Sequence, residues 1–296
     1  PTGAALVEGS HPEAGLLSGY LTVEMPPIMG VMTALLMAFI IGIGIAVVEG
    51  TTLKNLMNEV QTIVEKIITN IIIPFLPLYI AGIFANMTYA GEIVKIMSVF
   101  AKVFGIIIIL HFVILLVQYT IAGTLAGANP LLLIRKMLPA YFTAIGTQSS
   151  AATIPVTLNQ TKENGVNEGI ADFTIPLCAT IHLSGSTITL VSCSMAVMML
   201  NGMPITFSGM FGFILMLGVT MVAAPGVPGG AVMAALGLLE SMLGFGPELT
   251  SLMIALYLTQ DSFGTACNVT GDGAISIMVN KIAGFKLIKR EKKETV

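Results

Sequence analysis

Charged residues in this chain fall in clusters, and the stretches between clusters are long and apolar. The neutral runs are 25–48, between Glu24 and Glu49; 67–91, between Lys66 and Glu92; and 103–134, between Lys102 and Arg135. A helix needs roughly 20 apolar residues to cross the hydrocarbon of a bilayer, so each run predicts a transmembrane helix. The run 137–161 differs in kind. Its middle, Gly146-Thr-Gln-Ser-Ser-Ala-Ala-Thr-Ile-Pro155, is polar and both arms are apolar, which predicts a hairpin that enters the membrane and returns. From Phe173 to Leu239 no residue is charged when His182 is neutral, and between Glu163 and Asn280 there is no Lys or Arg. Two interruptions lie within that region, Ile181-His-Leu-Ser-Gly-Ser186 and Ala223-Ala-Pro-Gly-Val-Pro-Gly-Gly230, where Gly, Pro and small polar residues break a helix. Non-helical backbone at membrane depth requires protein or a water-filled cavity around it, since each unpaired N–H or C=O in lipid costs several kcal/mol.

The interruptions are spaced as a duplication. Ser150 and Ser184 are 34 residues apart, and Gly226 and Asp261 are 35 apart, so a hairpin followed by an interrupted helix is expected twice. Paired interruptions in two halves point to a transporter binding site near the midplane. The expected organisation is an extramembrane segment 1–24, transmembrane helices over 25–125, and a transport domain over 126–283. That domain divides into a first hairpin 129–165, a broken helix 168–201, a second hairpin 206–243 and a last helix 247–283. A basic tail, 284–296, follows.

Composition agrees with this pattern: 55% of residues are hydrophobic and 10% charged, against roughly a quarter charged in soluble domains. The net charge of −3 comes without a basic stripe or interleaved aromatics, so nucleic-acid binding is not expected. Cys178, Cys193 and Cys267 lie in apolar segments without CxxC spacing and read as packing residues. The chain starts at Pro1, has no basic segment followed by a cleavable apolar stretch, and reads as an N-terminally incomplete piece without a signal peptide. The basic tail Lys286 to Lys293 is expected in the cytoplasm, with Arg135, Lys136 and Lys162 on the same side. The first hairpin then enters from the cytoplasm and the second, flanked by Glu240 and Glu248, from outside.

The last apolar segment holds two internal acids, Asp261 and Asp272, with Thr265 and Asn268 between them. At about 100° per residue the other three point within about 40° of the direction of Asp261 and form a stripe with it, the acids about 16 Å apart along the helix. A carboxylate at membrane depth costs on the order of 3 kcal/mol, and no Lys or Arg in the region can pair with it, so both acids are candidate functional residues. Gly271 is expected to loosen the helix and bare carbonyl oxygens, a donor set suited to a hard monovalent cation. No transition-metal cluster is evident. His182, with an unperturbed pKa of roughly 6.5, is either a proton carrier or a hydrogen-bonded packing residue. His111, on an apolar span, reads as structural.

The tip Gln148-Ser-Ser-Ala-Ala-Thr153 offers hydroxyls and backbone N–H groups to a substrate carboxylate. Its serines lack a GxSxG elbow and a nearby His–acid pair, which disfavours a hydrolase. Asp261 and Asp272 are too far apart on one helix to share a proton as a protease dyad does. No enzymatic activity is expected.

Taken in order, these stretches resemble the dicarboxylate/amino acid:cation symporter family, the glutamate-transporter fold. Thr147-Gln-Ser-Ser-Ala-Ala-Thr-Ile-Pro-Val-Thr157 is similar to its serine-rich first tip. Ala179-Thr-Ile-His-Leu-Ser-Gly-Ser186 is similar to its unwound seventh helix, elsewhere Asn-Met-Asp-Gly-Thr, Pro225 to Gly230 to its second tip, and Asp261 through Asp272 to its eighth-helix signature. The resemblance covers roughly residues 25–283 and begins at the family's fourth helix. It implies an all-α membrane protein with two re-entrant hairpins and two broken transmembrane helices in an inverted repeat. It also implies a homotrimer in the cell membrane, with lipid and a small-molecule substrate as partners. By the same resemblance Ser149, Ser150, Thr153, Ser186, Val227, Pro228, Asp261, Gly264, Thr265 and Asn268 bind substrate. Asp261 takes the amino group and Asn268 the α-carboxylate, while Gly226, Val227 and Pro228 form the outer gate. Cys178, Thr180, His182, Asn268 and Asp272 stand at sodium sites.

The departures shape the expected cargo. Gly264 stands where acidic-substrate members carry an arginine, which removes the bidentate partner of a side-chain carboxylate. His182 and Ser184 replace Asn and Asp, which removes one sodium-site carboxylate. The expectation is therefore symport of a neutral amino acid, driven by fewer sodium ions or by a proton, with no other cofactor, by alternating access. The competing readings are a symporter of dicarboxylates or acidic amino acids, an ion channel lined by the polar stripe, and a structural membrane subunit.

Overall fold

The fold is drawn from a computed structural model, which describes residue 29, residues 31–67, 70–71, 73–89 and 93–284, and residue 287. The expectations for segment 1–24 and for most of the basic tail lie outside the described residues. Within them the chain is helical: α1 Val31–Val48, α2 Thr51–Ile67, α3 Ile73–Tyr89, α4 Ile93–Ala126, α5 Pro130–Thr147 and α6 Ser150–Glu163. There follow α7 Glu168–Ile181, α8 Ser184–Leu200, α9 Phe207–Met221, α10 Gly230–Leu243, α11 Pro247–Leu258 and α12 Asp261–Ile282.

Helix α4 departs from the charge pattern. It spans 34 residues, about 51 Å at 1.5 Å per residue, starts ten residues before the neutral run 103–134 and stops eight residues before that run ends. Its stop is made by uncharged residues: Gly127 takes φ +67°, and Asn129 caps α5 by accepting from Leu131 N at 2.9 Å, with Pro130 in the first turn. Two segments among the described residues, Ile96–Ala126 and Glu168–Leu200, are long and apolar enough to cross a membrane. The outer side of α4 carries exposed Ile106, Ile109, Phe112, Val113, Leu116 and Val117, a continuous apolar face.

Helix α12 is the hub, packed on α4, α5, α6, α7 and α8. Every residue from Gly264 to Ala274 is buried. Glycines bring its neighbours close: a Cβ at Gly273 would lie 2.7 Å from Tyr119 Oη and 2.8 Å from Met137 Cε, and Tyr119 Oη donates to Thr270 O at 2.8 Å. One core joins α4, α5 and α12 through Tyr119, Leu133, Met137, Val269 and Ile277. A second joins α8 to α11 through Leu190, Val197, Phe213, Leu217, Leu239 and Met253.

The interruption in the last apolar segment lies at Thr259–Gln260, ahead of Asp261, and α12 runs unbroken through Gly271. Gly271 does not loosen the helix. It admits a neighbour, since a Cβ there would lie 2.5 Å from His182 Cε1 and 2.7 Å from Gln118 Oε1.

Candidate functional site

Four helices, α6, α8, α10 and α12, point their N-termini at one region. An α-helix carries about half a positive charge at its N-terminus, so a convergence of this kind favours negative groups without any fixed cation. Asp261 exploits it. The carboxylate is only 3% exposed, occupies the first position of α12, and accepts at Oδ2 from Gly229 N, at the start of α10, at 2.7 Å. Gly229 has φ +72° and leaves that N–H free to point outward from its own helix. Thr265 and Tyr257 are its polar neighbours on either side along the chain.

Helix α8 begins at Leu183, which supplies no side-chain cap. Asn268 supplies one from α12: its Oδ1 accepts from Gly185 N at 2.7 Å and Ser186 N at 3.3 Å, while Nδ2 donates to Ser186 Oγ at 2.9 Å. These are the donors a local N-cap would satisfy. Close approach is possible because Gly185 and Gly264 face each other; a Cβ on Gly185 would sit 2.4 Å from Gly264 O. From the other side His111 lies with Nε2 3.0 Å from Gly185 O and 3.2 Å from Thr189 Oγ1. His111 is thus a buried clamp on the same break.

One turn further along α12, Asp272 Oδ1 accepts from His182 Nδ1 at 2.8 Å, and His182 Nε2 lies 3.1 Å from Gln118 Nε2 on α4. An amide donor facing Nε2 fits the tautomer with its hydrogen on Nδ1. The first turn, Gln148–Ser149, meets the second, 222–229, where Ser149 Oγ donates to Gly226 O at 2.6 Å. Gln148, at φ +52°, donates from Nε2 to Ser262 Oγ at 2.9 Å.

The structure therefore brings together Ser149, Ser186, Asp261, Gly264, Thr265 and Asn268, with His182 and Asp272 adjoining. Ser150 and Thr153 are buried, and the Thr153 hydroxyl is used within the turn, donating to Ser149 O at 2.8 Å. Val227 and Pro228 are partly exposed on the second segment. Cys178 gives its carbonyl to His182 N at 2.8 Å. Thr180 stands apart, exposed, its hydroxyl bonded to Leu177 O of its own helix. The three cysteines are buried and free. Among the described residues no three His, Cys, Asp or Glu side chains cluster as a metal centre would require. Gln118, Tyr257 and Ser262 also belong to the site, with Gln148 of the polar tip; for Gln118 the signal is the Gln118-Tyr119 polar pair within an apolar run.

The site is thus a buried acid held by helix termini beside two interrupted helices, in an all-helical bundle with a long apolar outer face. Residues 4–282 match the sodium:dicarboxylate symporter family, and the chain belongs to it. That family consists of symporters, not enzymes. The chain is 30% identical over 244 residues to the serine/threonine transporter SstT of Acinetobacter baumannii (strain SDF), covering 80% of this chain and 60% of that protein. It is 30% identical over 145 residues to an excitatory amino acid transporter of Caenorhabditis elegans, covering 49% of this chain and 29% of the relative. With excitatory amino acid transporter 1 of Mus musculus it shares 25% over 248 residues, 82% and 45% of the two chains. The chain thus spans about 60% of the length of the SstT proteins it matches.

Proposed function

We propose that this chain forms the substrate- and cation-binding part of a symporter that carries a neutral amino acid, coupled to Na+ or H+, by alternating access. The observation that carries the reading is Asp261, a buried carboxylate with a backbone N–H and helix dipoles for company and, among the described residues, no basic side chain bonded to it. It is poised to hold an ammonium group, and the converging N-termini suit the α-carboxylate of the same molecule. Gly264 supports a neutral side chain, because no guanidinium is present to pair with a second carboxylate, and the relatives named serine/threonine transporters fit it. His182 supports fewer sodium ions than the family pattern, since its N–H takes up an Asp272 oxygen that a cation would otherwise use, and Asn268 Oδ1 is engaged by two backbone donors.

On this reading α5–α6 and α9–α10 are re-entrant hairpins of an inverted repeat, and α7–α8 and α11–α12 are the broken helices between which substrate binds. The protein is then a homotrimer in the cell membrane with a cytoplasmic C-terminus. Uptake into proteoliposomes under separately imposed sodium and pH gradients tests it. Serine or another neutral amino acid should accumulate only with a cation gradient and saturably. Aspartate uptake that neutral amino acids fail to inhibit would overturn the specificity, and large ohmic currents would replace the carrier with a channel.

A further inference from the structure

Tyr257, at the C-terminal end of α11, is wholly buried, yet its hydroxyl meets no partner in good hydrogen-bond geometry. The polar groups beside it are Asp261 and Ser186. A buried hydroxyl left in that state is unfavourable, and such groups in folded proteins call for a specific cause. Its setting points to one. Tyr257 stands in the last turn of α11 and Asp261 opens α12 across the break, with Ser186 beside Tyr257 and faced by Gly264 from one turn further along α12. Gly264 brings no side chain into the gap; a Cβ there would only just touch Ser186, at 3.5 Å from its N and Oγ. Ser186 Oγ accepts from Asn268 Nδ2 and keeps a second lone pair and its own hydrogen.

We propose that Tyr257 is the specificity-determining residue that reads the substrate's side chain, donating a hydrogen bond to the hydroxyl of an amino acid whose ammonium group Asp261 holds. The inference rests on the symporter reading above and adds which neutral amino acids the site selects. A substrate hydroxyl between Tyr257 and Ser186 accepts from the phenol and donates to Ser186 Oγ, and both protein groups gain a partner. A site built this way rejects the analogue that lacks the hydroxyl, because the phenol is then left buried and unpaired. An apolar pocket would discriminate weakly between the two. Tyr257 could instead serve only to orient the Asp261 carboxylate, and the experiment separates the two roles.

The test is competition against labelled serine uptake by the intact transporter in proteoliposomes, using unlabelled serine and 2-aminobutyrate, which has a methyl group where serine has its hydroxyl. In the wild type 2-aminobutyrate should inhibit about tenfold more weakly than serine, the factor that a hydrogen bond of ordinary net strength supplies. Tyr257→Phe should bring the two within about twofold by weakening serine alone. If its uptake is too low to measure, thermal stabilisation of the purified variant by each compound gives the same ratio. Equal inhibition in the wild type overturns the proposal. So does a variant that loses affinity for both compounds alike, which would make Tyr257 a support for Asp261. A wild type that takes up aspartate and no neutral amino acid overturns the symporter specificity itself, a result distinguishable from either.

Discussion

The two turns that meet beside Asp261 are closed by different means. Between α5 and α6 the chain reverses in two residues, and side chains lock it: Ser149 Oγ accepts from Ala152 N, Thr147 and Thr153 hydroxyls lie 2.9 Å apart, and Gln148 reaches Ser262. Between α9 and α10 it takes eight residues, 222–229, held by short-range backbone bonds such as Gly230 N to Val227 O at 2.9 Å, with no side-chain cap on α10. The contact between the turns, Ser149 Oγ to Gly226 O, is donated by the first. A turn braced by its own side chains keeps its shape when a neighbour leaves. A longer segment of Gly and Pro with few bonds of its own is the part that would swing under the alternating-access reading proposed above. The comparison can be broken by experiment at four places.

The largest effect should come where the second segment touches the acid. Asp261→Asn keeps an acceptor for Gly229 N–H, so the segment stays docked, but it removes the charge that holds an ammonium group. Serine affinity in an equilibrium binding assay should fall by about a hundredfold or more, in keeping with a charge-assisted contact away from water. Affinity within about threefold of wild type would mean that substrate binds elsewhere.

Next is Gly230→Ala. The added Cβ would lie 2.2 Å from Pro225 O, a backbone atom, so the turn cannot keep its path. Overpacking of this kind costs about 1–3 kcal/mol. Because that energy falls on closing the segment, KM for uptake should rise by roughly tenfold or more with the helices intact by circular dichroism. An unchanged KM would show that the segment does not need its closed form.

How much of this was legible beforehand follows the chemistry of each break. His182–Leu183 and 222–229 sit in charge-free sequence rich in Gly, Pro and small polar residues, and both were read from it. The break at Thr259–Gln260 contains neither Gly nor Pro, and it is held by tertiary packing, Gln260 Nε2 reaching Cys193 Sγ at 3.4 Å; nothing local marks it. Gly271 was misread because a glycine inside a helix signals either loosening or close approach, and only the position of His182, 89 residues earlier in sequence, decides. The charge pattern alone overruns the end of α4, because turn residues are as uncharged as membrane residues. Asp261, Asn268 and Asp272 were legible as a stripe, since helical periodicity alone aligns them. Their partners Gly229, Gly185 and Gln118 were not, since no periodicity relates separate helices.

Ser149→Ala should act through the contact between the turns. It removes the α6 cap, worth about 1 kcal/mol, and the bond to Gly226 O. A cysteine placed at Val227, on the second segment, should then react with a membrane-impermeant thiol reagent several times faster than in the Ser149 background, and Ser149→Thr should restore the slow rate. Equal rates in all three would remove the first turn from control of the second.

The smallest effect should come from Gly146→Ala, one residue before the end of α5. A Cβ there meets nothing within 4 Å and the residue has no positive φ, so the substitution adds no strain. Replacing a helical glycine by alanine stabilises by about 0.5–1 kcal/mol, mainly by restricting the unfolded chain, so the melting temperature should rise by about one to three degrees. Uptake should not change, because a turn that stays rigid through the cycle loses nothing when its helix stiffens. A fall in transport rate beyond about threefold, with the melting temperature raised, would mean that α5 bends during transport, and the first turn would then be as much a moving part as the second.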